Sequence, residues 1–195
     1  MTLKQSINIG CDLDDVVTDL NSTLQEFHNA TYGTSLTREH VFSYFLDEVW
    51  GCSKEEAIRR IDQFFDSPYH LRVLPVSGAQ EATRLLSQHN ILYLVTSRPE
   101  SMSKLTKKWV QEHFPDIFRD VHFANYFDMD KSAPKTKGEV CQTLEIDIFI
   151  EDAPHYAREV AETTSKPVLL FDTPWNRNHT DFPPNVTRVR SWSEI

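Results

Sequence analysis

Cysteine is scarce in this chain, and the three present form no pattern. Cys11, Cys52 and Cys141 are widely spaced, odd in number and without a CxxC pair. That excludes a disulfide framework and a thiolate zinc site, and it leaves Cys11, inside an apolar run, as a small buried hydrophobe. The eight histidines show no HExxH or other ligand spacing, so no metal is assigned to them. A basic excess is also missing. Twenty Lys and Arg stand against 29 Asp and Glu, a formal charge of -9, which argues against a nucleic-acid polymer as partner because a phosphate backbone needs a basic surface. No apolar run approaches the roughly 20 residues of a membrane-spanning helix, and no signal-peptide pattern opens the chain. The expectation is a protein of the reducing cytoplasm with no membrane partner, in which the glycosylation-like triplets at Asn21, Asn178 and Asn185 are chance matches. Internal repeats and low-complexity tracts are absent as well.

What is present is enough chain, at 195 residues and 39% hydrophobic, for one domain carrying a modest insertion. Apolar runs rich in β-branched residues predict strands at 7–11, 91–95, 146–150 and 168–171, with weaker ones at 121–124 and 186–189. Between them, 78–89, 102–113, 137–144 and 153–163 read as helices; in the first of these Ala79, Ala82, Leu85 and Leu86 recur at helical spacing. Strand–helix alternation of this kind predicts a doubly wound α/β sandwich with a parallel sheet. Residues 15–74 are the exception, with no strong strand and with apolar residues at helical spacings. They are expected to form a small helical cap over the carboxyl edge of the sheet, dividing the chain into a core of 1–14 and 75–195 and a cap of 15–74.

Four features fall in order at predicted strand ends. Asp12 and Asp14 close the first strand, and a buried strand has no packing reason to finish in clustered carboxylates. Thr96-Ser97-Arg98-Pro99 closes the second strong strand. A lysine, Lys137 or alternatively Lys135, opens a later helix, and Glu151-Asp152 closes the strand after it. In a parallel sheet all four converge on the edge where ligands bind. Each alone has a bland reading, since acidic pairs and Thr-Ser turns commonly cap helices and lysines commonly face water. Their order and placement together favour chemistry.

This order resembles the haloacid dehalogenase superfamily, over 7–171, and the 15–74 segment resembles that family's first type of cap. Leu74-Pro75-Val76-Ser77-Gly78-Ala79, the Thr-Ser-Arg-Pro turn and Ile148-Phe149-Ile150-Glu151-Asp152 resemble its 5′(3′)-deoxyribonucleotidase branch. Asp172-Thr173-Pro174-Trp175-Asn176 resembles bacterial and phage members of that branch. One departure is Asp15, where many superfamily members carry Gly.

The resemblance implies a magnesium-dependent phosphomonoester hydrolase. Asp12 would be the nucleophile that forms an aspartyl-phosphate. Asp14 would be the general acid and base, its pKa raised by neighbouring carboxylates. Mg²⁺ would be held by Asp12, the backbone carbonyl of Asp14 and Asp152, with Glu151 in support. Thr96, Ser97 and Lys137 would bind phosphate. Arg98 would either meet phosphate or pair with a nearby carboxylate. Phe42, Tyr44, Phe45 and Trp50 are candidates either to stack on a nucleobase or to form the cap's own core; Trp175 and Asn176 either line the edge or fix a turn. The expected substrate is a nucleoside monophosphate. The alternatives are a sugar phosphate or other small phosphorylated metabolite, or a non-catalytic binding protein on the same fold. A homodimer is compatible with such folds, but no residue here marks an interface.

Overall fold

The computed structural model describes residues 6–124 and 135–195. In chain order the elements are β1 (Asn8–Cys11), α1 (Leu20–Tyr32), α2 (Leu46–Trp50), α3 (Lys54–Asp66), α4 (Ala79–Leu86), β2 (Ile91–Thr96), α5 (Ser103–His113), β3 (Phe118–Phe123), α6 (Lys137–Thr143), β4 (Ile148–Glu151), α7 (Pro154–Thr164), β5 (Val168–Phe171) and β6 (Val186–Val189), with short 3-10 turns between some of them. The six strands form one sheet in the order β3-β2-β1-β4-β5-β6, and every pairing is parallel. This is the doubly wound α/β sandwich that the alternation of runs predicts.

Successive residues of a strand point to opposite faces, and the core divides accordingly. Ile9, Cys11, Leu92, Leu94, Ile150 and Phe171 pack on one face with Ala79 of α4 and Val110 of α5. Val95, Phe149, Val168 and Leu170 pack on the other with Val140 and Cys141 of α6 and Ala157, Val160 and Ala161 of α7. On that second face Gly10 leaves room for a neighbour. A Cβ there would sit 2.7 Å from the ring of Phe149, so the bare backbone lets β4 lay its aromatic over the central strand.

The register decides what meets at the carboxyl edge. Cys11 pairs with Leu94 on one side and with Ile150 on the other, and the Asp12 amide still donates to the Ile150 carbonyl at 2.8 Å. Asp12 therefore lies level with the ends of β2 and β4. Beyond it the chain turns tightly: Val17 and Thr18 amides both donate back to the Leu13 carbonyl, and Asp15 takes a positive φ of 61°.

Helices α1 to α3 lie between this turn and the return at Pro75, where Val76 bonds the Val17 carbonyl. They gather around their own cluster of Leu24, Phe27, Phe64 and Val73. Trp109 of α5 touches that cluster and donates its indole N–H to the Val73 carbonyl at 2.8 Å, so the segment is tied to the sandwich at a defined point. Among the described residues no helix is long and apolar enough to cross a membrane.

Candidate active site

Lys137 is the centre of the site. Thr136 caps α6, accepting from the Glu139 amide while the Glu139 side chain accepts from the Thr136 amide. This capping box fixes where the helix begins and so aims Lys137 inward from its first turn. The ammonium is buried, 2.6 Å from Asp12 Oδ1 and 2.7 Å from Glu151 Oε2, and lies 4.4 Å from the centroid of the Tyr156 ring. Lys135, two residues earlier, is exposed to solvent. Of the two lysines, the structure brings Lys137 to the carboxylates and leaves Lys135 at the surface.

The Asp12, Glu151 and Asp152 carboxylates lie together, with one oxygen of each within 4.8 Å of the others. Glu151 is saturated: Oε2 takes the ammonium, and Oε1 accepts the amides of Asp152 and Ala153 at 3.0 Å each. Asp12 keeps one oxygen beyond its bond to Lys137. Asp152 has one oxygen on the indole N–H of Trp175 at 2.8 Å, which leaves the other to a ligand.

Electrostatics follow from burial. Desolvation pushes the Asp12 carboxyl up, Lys137 pulls it down, and Glu151 and Asp14 push it up again; the balance is a pKa of about 8. Burial and the neighbouring Glu151, Asp12 and Asp15 raise Asp152 well above the ordinary carboxylate range. Burial lowers Lys137, but Asp12 and Glu151 reverse this and hold it charged. Three carboxylates against one ammonium leave a surplus of negative charge that fits a divalent cation, with oxygen donors of the kind Mg²⁺ takes.

Asp14 has the Asp12 and Asp15 carboxylates as neighbours, and it has a cation as well. Arg98 grips both of its oxygens, Nε to Oδ2 at 2.8 Å and Nη2 to Oδ1 at 2.6 Å, and the Thr18 hydroxyl donates to Oδ1 at 3.0 Å. Arg98 is itself held by Thr106 and lies under the Phe65 ring of α3. Of its two open readings, pairing with a carboxylate is the one present in this structure.

Thr96 is buried and accepts the Arg98 amide at 3.1 Å, so its hydroxyl proton is free to donate. The Ser97 hydroxyl is buried with no hydrogen bond of ordinary geometry, the Tyr156 phenol being its polar neighbour. Both are donors awaiting an acceptor, as a phosphate oxygen would be.

The aromatic candidates separate. Trp50 stacks on His28 at 4.5 Å and donates to Gln25, within the packing of α1 to α3. Phe42 is 61% exposed. Tyr44 and Phe45 line a pocket of about 490 Å³ with His155, Arg158 and His179. Burial, then the charges of Tyr156, Asp152, Asp12 and Glu151, raise the Tyr44 phenol well above its usual range, which marks that pocket as a neighbour of the carboxylates.

One contributor escapes a reading of motifs. Arg38, in a 3-10 turn before α2, forms ion pairs with Asp15 at 2.5 Å and Asp19 at 2.9 Å and lies over the Trp175 ring at 4.8 Å. A buried acid at Asp15, in a tight turn, is the signal that such a cation must exist. Asn176 donates to the Asp152 and Phe171 carbonyls at 2.7 and 2.6 Å, fixing the turn after β5 to the end of β4.

A parallel sheet ending in a carboxylate cluster, a buried lysine and a Thr-Ser turn defines a hydrolase of the haloacid dehalogenase superfamily. Within it the chain belongs to the family described as 5′ nucleotidase, deoxy (pyrimidine), cytosolic type C, whose model matches residues 5–195, and it is a hydrolase of phosphoric monoesters. A provisionally named nucleotidase of Halalkalibacterium halodurans is 31% identical over 195 residues, covering 100% of this chain and 93% of that protein. A haloacid dehalogenase-like hydrolase of Streptococcus pneumoniae shares the fold at a TM-score of 0.67 and 15% identity, with 97% and 96% of the two chains covered. A provisionally named hydrolase of this superfamily from Bacillus subtilis, solved with magnesium bound, superposes at 0.60 with 14% identity, covering 98% and 97%.

Proposed function

We propose that this enzyme is a magnesium-dependent 5′(3′)-nucleotidase that hydrolyses nucleoside or deoxynucleoside monophosphates through a phosphorylated Asp12. The observation that carries the reading is the clustering of the Asp12, Glu151 and Asp152 carboxyl groups at a strand edge beside two buried hydroxyls. Asp12 and Asp152 would hold the cation through their remaining oxygens, with the Asp14 backbone carbonyl, while Glu151 supports Lys137. A bound Mg²⁺ supplies the positive charge that keeps these carboxylates ionised and draws electron density from the phosphoryl group.

Asp12 attacks phosphorus in line. The new Asp12–phosphorus bond forms as the ester P–O bond breaks, and the leaving alkoxide takes a proton from Asp14. Water then attacks the same phosphorus and gives its proton to Asp14 as the Asp12–phosphorus bond breaks. Thr96, Ser97 and Lys137 meet the negative charge of the transferring group. Because Arg98 occupies both Asp14 oxygens here, one of those bonds opens and the freed oxygen takes up a proton from solvent before Asp14 donates.

Residues 15–74 act as the cap. The pocket of Tyr44, Phe45 and His155, with Phe45 stacked on His155 at 6.0 Å and 18°, is of the size that encloses a small ligand and offers flat faces to the leaving group. Among the four aromatic candidates Tyr44 and Phe45 are assigned to substrate.

The test is Mg²⁺-dependent phosphate release across ribo- and deoxyribonucleoside monophosphates and common sugar phosphates, with Asp12→Asn as blank. Release from nucleotides that is abolished in the variant supports the reading. Activity confined to sugar phosphates overturns the substrate, and undiminished activity in Asp12→Asn overturns the mechanism.

A further inference from the structure

The chain has four tryptophans, and their indole N–H groups find different partners. Trp109 and Trp192 donate to the backbone carbonyls of Val73 and Val16, and Trp50 donates to the Gln25 amide. Trp175 alone among them donates to an ionisable group, Asp152 Oδ2, at 2.8 Å. Its ring is buried, with the Arg38 guanidinium over it. The next residue, Asn176, grips the backbone carbonyl of the same aspartate at 2.7 Å. Asp152 is thus held at its side chain and its main chain by two successive residues of the turn after β5.

A carboxylate at the end of a strand can rotate, and either oxygen, or both, can then face a cation. An N–H on Oδ2 removes that freedom and leaves Oδ1 as the ligand atom. An indole suits the task because it is neutral: a lysine or arginine there would orient the carboxylate equally well while opposing the cation's charge. We propose that Trp175 is the positioning residue of Asp152, setting which oxygen it presents to a divalent cation and hence the site's affinity for it. The inference rests on the assignment of Asp152 as a metal ligand made above.

Trp175→Phe keeps the ring and removes the N–H. Calorimetric titration of the whole protein with Mg²⁺ should show Kd rising about 10- to 100-fold in this variant, the usual effect of losing a group that orients a ligand. Trp109→Phe, which removes the same kind of donor from the Val73 carbonyl, should bind as the unaltered protein does. A Trp175→Phe Kd within about twofold of the unaltered protein overturns the inference and leaves the metal assignment standing. Failure of the unaltered protein to bind Mg²⁺ overturns both. A second measurement needs no variant to fold: in the 15N-labelled protein, the sequence-assigned Trp175 indole resonance should move on Mg²⁺ addition with the calorimetric midpoint, while that of Trp109 stays in place. A stationary Trp175 resonance at saturation overturns the inference.

Discussion

Lys137 and Arg98 each satisfy carboxylates at this edge, yet the two cations do different work. Lys137 is a buried point charge shared by Asp12 and Glu151, so its loss leaves two buried acids uncompensated and, in the mechanism proposed above, removes the charge that meets the transferring phosphoryl group. Lys137→Met is expected to lower kcat for phosphate release by about 10²–10³, the range for deleting one preorganised donor. Arg98 is a planar fork on both oxygens of Asp14, a geometry that lysine cannot reproduce. Arg98→Lys should therefore reduce kcat by roughly 10- to 100-fold through misplacement of Asp14, with KM nearly unchanged. Steady-state kinetics on the preferred nucleotide separates the two possible roles, since a rise in KM at constant kcat would mark Arg98 as a phosphate contact instead.

Helices α6 and α7 approach closely, and one residue permits it. A Cβ on Gly138 would lie 2.5 Å from Glu159 Oε1 and 2.7 Å from Thr163 Cβ. The Glu159 carboxylate is already bound to the Gly138 amide and the Thr136 hydroxyl, so it has little freedom to give way. Gly138→Ala should cost about 1–3 kcal/mol, seen as a lower midpoint in urea, and should reduce phosphate release because Lys137 is the adjacent residue. Such a contact cannot be read from the sequence, whereas the strands largely could be, because continuous apolar runs mark strands buried on both faces. The exception is β3, expected at 121–124 and found from Phe118. It is an edge strand, and exposed Arg119 and Asp120 interrupt its apolar run. Asp12, Thr96 and Asp152 were visible as strand-end residues. Lys137 is preferred to Lys135 only through its place at the predicted helix start and the family's spacing, and the cap at Thr136 supplies the physical reason that it is the one turned inward. Arg38 and Trp175 were illegible as a pair, since 136 intervening residues and a cation–π contact leave no local pattern.

For the whole molecule, the acid surplus of -9 has its costliest share in the site, where burial raises Asp12 to about 8 and lifts Asp152 in the same direction. A carboxyl whose folded pKa exceeds its unfolded value binds its proton more tightly when folded. The protein without metal therefore loses stability as pH rises from the unfolded carboxyl value of 3.8 toward the folded one. Two histidines oppose this at lower pH. Burial depresses His28 to about 4 and lowers His155 from the ordinary value of 6.5, so their contribution grows with pH and levels off above 6.5. The carboxyl effect consequently outweighs theirs between pH 6.5 and 8. In that window the melting temperature of protein stripped with a chelator should fall as pH rises. Mg²⁺ competes with exactly these protons, so the same melts with Mg²⁺ at about 100 times its Kd should be higher by roughly 5–10 °C, with the larger gain at pH 8. Differential scanning calorimetry at the two pH values, with and without Mg²⁺, checks both signs. A stripped protein that melts higher at pH 8 than at 6.5 would mean that the carboxylates are ionised without help and that Lys137 alone neutralises the cluster.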